Sequence, residues 1–203
     1  MDEASRTYLS AELQSLVGAA RTSWSQLTTE IIPEMLEGEG LSDDASLRWA
    51  YDLLGEIWSA RLAESQSWER PTDVERLRAA FSALEAADFV CTGIEGSAYT
   101  QSDLLQDLYE LWAAFGPARE RRPRFLGCHA QDIGRAVAGQ GLWLAFGRFV
   151  STDKGVTSDA DAETASLAAA ALRSEGLDVA WDGDPGQRLL LPTFVWRADL
   201  PLS

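Results

Sequence analysis

Apolar residues in the first seventy positions recur at the spacing of an α-helix. Leu9, Leu13 and Val17 lie four residues apart, so they share one face of a helix. A second run with the same period begins at Leu47, after an acidic loop. The proline and glycine of the intervening "TEIIPEMLEG" mark a kink or a new helix start and a stop. We therefore predict that residues 1–70 form a helical region that packs as helical hairpins.

From residue 71 onward, helical periods alternate with short runs of β-branched and aromatic residues. The stretch "PTDVERLRAAFSALEAADFV" is typical of a capped helix that leads into a strand. Short loops between alternating elements favour one mixed sheet. The predicted fold class is α+β: an N-terminal helical region followed by a mixed β-sheet of about five strands, with helices packed mainly on one face. The predicted strands lie at 89–94, 125–129, 142–147, 177–181 and 188–196, and the predicted helices between them at 102–115, 131–138 and 161–174.

The length of 203 residues suits one large domain or two small ones. We predict a helical N-terminal region at 1–70 and an α+β sandwich domain at 71–203, with one continuous domain as the alternative. Hydrophobic residues make up 46% of the chain and charged residues 24%, which is typical of a globular protein and not of a disordered one.

Charge changes the picture of what the chain can bind. Seventeen basic against 32 acidic residues give a net charge of −15, which repels phosphate backbones and anionic lipid head groups. We expect neither nucleic acid nor a membrane as partner. A basic protein surface is the natural complement, because opposite potentials steer encounter. An acidity that serves solubility alone is the alternative.

The two cysteines and the first residues of the chain narrow its chemistry further. Cys91 and Cys128 lie far apart, without a CxxC motif or a histidine cluster, which argues against zinc and iron–sulfur sites. We expect both to be small buried residues, and we expect no metal and no cofactor. The opening "MDEASRTYLS" lacks the pattern of a signal peptide, and no apolar run approaches a membrane span. The expected location is the cytoplasm.

Catalytic constellations are scarce in this sequence. His129 is the one histidine, and its neighbour Cys128 would point to the opposite face of a strand. A pair of Cys91 with His129 across adjacent strands stays open. The chain has no phosphate-binding Walker loop, no G-x-S-x-G and no H-E-x-x-H motif. We predict that the protein is not an enzyme.

An acidic run precedes the second helical run, which begins at Leu47. It lacks the alternating ligands and the closing glutamate of a calcium-binding EF-hand loop. A solvated loop that caps a helix is one interpretation. The other is an acidic projection that meets a basic protein surface, as an inhibitor does. On the second interpretation the partner-binding residues are Glu34, Glu37, Glu39, Asp43 and Asp44.

The segment "WDGDPGQRLLLPTFVW" joins two runs of strand-like residues through a turn. Asp182 and Asp184 can accept hydrogen bonds from nearby backbone amides, so the turn needs no ligand. Arg188 follows at the start of the last strand, where it can anchor the acidic turn or Asp132. We expect structural roles for these residues, including Trp181 and Gln187.

Three segments together resemble an uncharacterised bacterial domain family, a domain of unknown function: "WERPTDVERLRAAFSALEAADFV", "CHAQDIGRAVAGQGLWLAFG" and "GLDVAWDGDPGQRLLLPTFVWR". The family carries a W-x-G-D-P-G-Q-R hairpin motif. The resemblance implies a shared fold and supplies no reaction. The motif residues here are Asp132, Trp181, Asp182, Asp184, Gln187 and Arg188.

These observations lead to three hypotheses about function. The first is a non-catalytic, acidic protein-binding inhibitor, immunity- or antitoxin-like, that neutralises a bacterial toxin by stoichiometric binding. The second is a small-molecule-binding or enzymatic domain with Asp132, His129 and Arg188 in a pocket. The third is a regulator of a host enzyme such as a ribonuclease. The sequence leaves the oligomeric state open.

Overall fold

The computed structural model describes residues 1–96, 98–149 and 158–201. The chain divides into two compact units: residues 1–70 with the C-terminal segment from Arg197, and residues 71–196. In the first unit Arg70 donates through Nη2 to both carboxylate oxygens of Asp199, at 2.7 and 2.9 Å. The domain boundaries of 1–70 and 71–203 stay a prediction about independent folding.

The first unit is helical. Its elements are α1 (Glu3–Ala19), α2 (Trp24–Gln26), a π-helical turn (Leu27–Ile31), α3 (Ile32–Gly38) and α4 (Asp44–Ser65). One apolar cluster forms the core of this unit, because the residues at helical spacing turn inward and lose their contact with water. Its buried members are Leu9, Leu13, Val17, Leu27, Ile32, Leu36, Ala50 and Leu54.

Local chemistry sets where these helices begin. Asp2 starts α1, where its Oδ1 accepts from the backbone N–H of Ser5 at 2.8 Å. Asp43, and not Ser42, starts α4. The π-helical turn precedes Pro33, which has no N–H to donate, so the helix widens where a regular bond is missing.

The second unit combines a sheet with helices. Its elements in chain order are α5 (Asp73–Ala86), β1 (Phe89–Thr92), α6 (Gln101–Ala114), a 3₁₀-helix (Gly116–Arg121), β2 (Arg124–Gly127), α7 (Ala130–Val137), β3 (Leu142–Arg148), α8 (Ser158–Ser174) and β4 (Leu189–Leu191). The four strands lie in the order β1-β2-β3-β4; β1 and β2 are parallel, and the other pairs are antiparallel. The predicted α+β class with a mixed sheet is confirmed.

The predicted number of about five strands is wrong for the described part of the chain, which has four. The segment 177–181 makes one isolated bridge, in which Ala180 donates to the carbonyl of Leu190 at 2.8 Å and accepts in return at 3.1 Å. The last strand ends at Leu191 because Pro192 has no N–H to continue the ladder. The two segments of strand-like composition, 177–181 and 188–196, therefore form one isolated bridge and one strand of three residues.

Helices cover both faces of the sheet, which corrects the expectation of one main face. Leu104 and Leu108 of α6 pack with Val90 and Phe125. Alternation along β1 turns Cys91 to the opposite face, where α5 packs. The sequence periods identified the helices, but they carry no information about which face each helix covers.

The carboxyl ends of β1 and β2 lie side by side, and the loops that follow them are joined. The backbone N–H of Cys128 donates to the carbonyl of Thr92 at 3.3 Å, and that of Ala130 donates to Ala98 at 2.9 Å. Gly93 has a φ of +119°, and a Cβ there would lie 2.0 Å from the carbonyl oxygen of Cys128. This close approach requires glycine.

We predict opposite effects for two glycine substitutions in this unit. Gly93→Ala should destabilise the protein by more than about 2 kcal/mol, because it combines a strained φ with a backbone overlap. Gly134→Ala, inside α7 with open space around its Cα, should stabilise it by about 0.5–1 kcal/mol. Urea unfolding of both variants measures the change in the free energy of unfolding. Equal effects of the two substitutions would contradict the close approach of Gly93 to Cys128.

Candidate functional site

The acidic run extends from the first turn of α3 to the start of α4, and all five of its carboxylates are exposed: Glu34, Glu37, Glu39, Asp43 and Asp44. Asp43 also shapes the backbone. Its Oδ1 accepts from the N–H groups of Ala45 and Ser46 at 3.0 Å, and its Oδ2 accepts from Ser46 Oγ at 2.7 Å. The side-chain bond from Ser46, followed by the backbone bond, lowers the pKa of Asp43.

The charge of the acidic run is not neutralised locally. None of its five carboxylates forms an ion pair with an arginine in the ranges that the structure describes. Glu39 has a neutral partner, Ser5 Oγ, at 3.5 Å. The sequence has no basic residue between Arg21 and Arg48. The result is a negative surface patch that a basic group can approach without displacing an internal partner.

A second cluster is built around Asp132 in the first turn of α7. Its side chain is 0% exposed. Oδ2 accepts from the backbone N–H of His129 at 3.3 Å, lies 3.1 Å from His129 Nε2, and accepts from Nη2 of Arg188. Oδ1 accepts from Arg135 at 3.3 Å. A buried carboxylate requires such donors, because without them its desolvation would be very costly.

Arg188 connects this cluster to the sheet. Besides Asp132, it donates through Nη2 to the backbone carbonyl of Trp143 in β3, at 3.2 Å. Of the two anchors proposed from the sequence, the structure therefore places Arg188 on Asp132 and not on the acidic turn. Its Nε and the Nδ1 of His129 have no hydrogen-bond partner within the described residues.

His129 is 4% exposed, and its environment favours the neutral imidazole. Burial lowers the pKa of His129, while the opposing charge of Asp132 only partly offsets this effect. An imidazole held by a carboxylate can serve as a general base if a nucleophile donates to its other nitrogen. No hydroxyl or thiol in the described part of the chain makes that bond to Nδ1.

The remaining motif residues form a self-contained turn. Trp181 Nε1 donates to the carbonyl of Asp184 at 3.0 Å, and the backbone N–H of Gln187 donates to the same carbonyl at 3.0 Å. The carboxylate of Asp182 accepts from the N–H of Asp184, and that of Asp184 accepts from Gly186. These bonds account for the polar residues of the turn without a ligand.

A groove at the carboxyl end of β1 was missed by the sequence analysis. It consists of two adjoining cavities of about 490 and 480 Å³ that share Thr92, Glu95, Gly96 and Leu111. We call it the β1 groove. Crevices beyond the carboxyl ends of parallel strands are common ligand sites. The feature that would have indicated this groove is the parallel pairing of β1 with β2. That pairing joins strands that are distant along the chain, so no local sequence pattern reveals it.

The thiol in the β1 groove, Cys91, lies in an environment that favours its protonated form. Burial, and then the negative charge of Glu85, raise the pKa of Cys91 well above its usual range, so the thiol stays protonated near neutral pH. Across the described ranges no group of three His, Cys, Asp or Glu side chains is placed to hold a metal ion. No helix there is long and apolar enough to cross a membrane.

Fold and site together define a class: an α+β protein of two compact units, with exposed acidic surfaces and a buried carboxylate network. The sequence profile of DUF6891, a domain of unknown function, matches residues 2–200, and the chain belongs to this family. The expected resemblance to an uncharacterised domain family is confirmed, and it assigns no reaction. Neither the search of curated proteins nor the search of solved structures found a match.

We predict that His129 titrates below pH 6.5, the value of an unperturbed imidazole. The folded state then binds fewer protons than the unfolded state just below that pH. The stability from neutral His129 is complete above about pH 6.5 and is lost as the pH falls toward the folded pKa. NMR titration of the chain's one imidazole measures this pKa directly. His129→Gln should flatten the dependence of the unfolding free energy on pH below about pH 6.5; a pKa at or above 6.5 would contradict the prediction.

We also predict a large cost for neutralising the buried carboxylate. Asp132→Asn should destabilise the protein by about 3 kcal/mol, at the low end for a broken buried pair, because the Arg188 side chain is 23% exposed. The exposed Asp178→Asn is the matched control and should change stability by less than about 0.5 kcal/mol.

A double-mutant cycle isolates the contact. Adding Arg188→Gln to Asp132→Asn should cost less than the sum of the single changes, because both remove the same interaction. Urea unfolding of the four proteins gives the coupling energy. Strict additivity would show that the two groups do not interact.

Proposed function

We propose that the protein is a non-catalytic, acidic binding protein that neutralises a basic protein by stoichiometric binding, as an immunity or antitoxin-like protein does with a bacterial toxin. The observation that supports this proposal is the acidic run, whose five carboxylates are exposed and form no ion pair within the described residues. The net charge of −15 gives this surface a basic protein as its natural complement.

Electrostatics gives such a binder two advantages. Opposite potentials raise association rates above those of neutral partners, and like charges repel nucleic acid and anionic lipid. An inhibitor must capture its target before the target acts, so a fast encounter suits this role. On this proposal the protein works in the cytoplasm, without cofactor or turnover.

The Asp132 cluster supports a binding role over an enzymatic one. Asp132, His129 and Arg188 do converge, but they converge on one another: Oδ2 of Asp132 already faces three donors. A substrate would have to displace part of this network. A regulator of a host enzyme such as a ribonuclease would also bind a protein partner without turnover. Only the identity of the partner therefore distinguishes that hypothesis from toxin neutralisation.

Co-expression with the products of adjacent genes tests the proposal. We expect one neighbouring product to be basic, toxic when expressed alone, and neutralised by this protein in a one-to-one complex. Binding of a host ribonuclease in place of such a product would favour the regulator. If no neighbour binds and none is toxic alone, the proposal is wrong.

A triple variant locates the binding surface. Glu34→Gln/Glu37→Gln/Glu39→Gln should weaken the complex at least about tenfold, mainly through slower association at low salt. Asp43 is left intact because it caps α4. The matched control is Glu12→Gln/Asp52→Asn/Glu56→Gln, which removes three exposed charges elsewhere in the same unit. Stopped-flow kinetics measures both, and equal weakening would show that only the total charge matters.

A further inference from the structure

We propose that the β1 groove binds an arginine-bearing segment of the basic partner protein. This inference rests on the proposed function, and it adds a defined recognition site in the second unit. It is carried by the shape of the groove, by its apolar lining and by the imbalance of charge around it.

Part of the groove lining is apolar. Phe81 of α5, Ile94 after β1 and Leu111 of α6 line the first cavity. Leu111 also lines the second cavity, and it is 44% exposed although it is a large apolar residue. The aliphatic stem of an arginine side chain can cover such surface while its guanidinium stays in contact with water and carboxylates.

Carboxylates surround this apolar lining. Glu85 and Glu95 border the first cavity, and Glu95, Asp107 and Glu110 border the second. Among the described residues that line the groove, Arg78 is the one basic residue, and it pairs with Glu95 at 3.2 Å.

The other three carboxylates have no ion pair in the part of the chain that the structure describes. Glu110 accepts only from the neutral amide of Gln106, at 2.7 Å. Carboxylates around a partly apolar crevice suit the planar guanidinium of arginine better than the compact ammonium of lysine. A guanidinium can donate two parallel hydrogen bonds to one carboxylate, and it is more weakly hydrated.

The shape favours a protein segment over a small free cation. Two cavities adjoin along the groove, with Glu85 bordering one cavity and Asp107 and Glu110 bordering the other. A small ligand is bound best where most of its surface is enclosed, whereas a chain segment can place successive side chains in successive cavities. The groove therefore fits an extended segment with a basic residue for each cavity.

The loops that shape the groove are held in place before any ligand arrives. Gly93 and Gly96 line it, and Gly93 lies against the backbone of Cys128 in the neighbouring loop. A preformed site loses less conformational entropy on binding.

The test uses the full chain and two synthetic probes. The first is the peptide acetyl-Leu-Arg-Leu-Arg-Leu-amide, and the second replaces each arginine by citrulline, which has nearly the same shape without the charge. We expect the arginine peptide to bind and the citrulline peptide to bind at least about tenfold more weakly. NMR shift changes should centre on Ile94 and Leu111.

Variants of equal charge change separate the groove from the net charge. Glu85→Gln/Asp107→Asn/Glu110→Gln should weaken peptide binding at least about tenfold, while Glu12→Gln/Asp52→Asn/Glu56→Gln, three exposed charges outside both proposed binding surfaces, should leave it nearly unchanged. Leu111→Gln, at an exposed position, should weaken binding with no change in charge. Circular dichroism and urea unfolding confirm that each variant is folded.

Each other result overturns the inference. Absence of peptide binding, equal binding of the citrulline peptide, or equal loss in both triple variants would show that the groove does not recognise arginine. Tighter binding of spermidine, with displacement of the peptide, would assign the groove to a small cation. A native toxin complex that depends on Glu34, Glu37 and Glu39 but not on the groove would leave the proposed function standing and remove only this site. Peptide binding by a protein that has no native basic partner would overturn both the proposed function and the occupant proposed for the groove.

Discussion

The buried carboxylate of Asp132 is the constraint on which the second unit depends. It brings three parts of the chain to one point: the start of α7 through His129, the segment before β4 through Arg188, and β3 through the bond from Arg188 to Trp143. An uncompensated charge in this position would cost several kcal/mol, so these parts have to meet for the unit to fold. Because β4 has only three residues, it forms few backbone hydrogen bonds with β3. The ion pair of Arg188 with Asp132 adds a contact between residues distant in sequence beside this strand.

Because that carboxylate is satisfied internally, it does not contribute to recognition. The charges that remain available lie elsewhere, in the acidic run of the first unit and in the carboxylates of the β1 groove. Exposed charges of one sign repel each other, and of the acidic run Asp43 is used by the fold, as the cap of α4. On the proposed function, the two acidic patches serve to attract a positively charged partner.

The sequence predicted the parts of this structure that depend on local order. Helix periods identified both the helical region and the helices of the sheet unit. Such helices begin at local signals, because Thr72 and Asp43 cap α5 and α4 through their own short-range bonds. The segment 177–181 has a strand-like composition, but how many of its residues pair depends on the length of β4, which Pro192 limits. The sides on which α5 and α6 pack follow from connectivity through space, and no local pattern encodes them.

The candidate sites divide along the same line. The acidic run is contiguous, so the sequence alone reveals it, and the motif drew attention to Asp132 and Arg188, although they are 56 positions apart.

The β1 groove combines residues of α5, the loop after β1 and α6, which no spacing rule connects. Parallel pairing of β1 and β2 places both following loops at one edge of the sheet, and the close approach at Gly93 fixes the loop after β1 against its neighbour. The groove is thus a product of topology. On the proposed function, the acidic run and the β1 groove have different roles: the run attracts a basic partner over distance and speeds encounter, and the groove acts at contact and selects among basic partners.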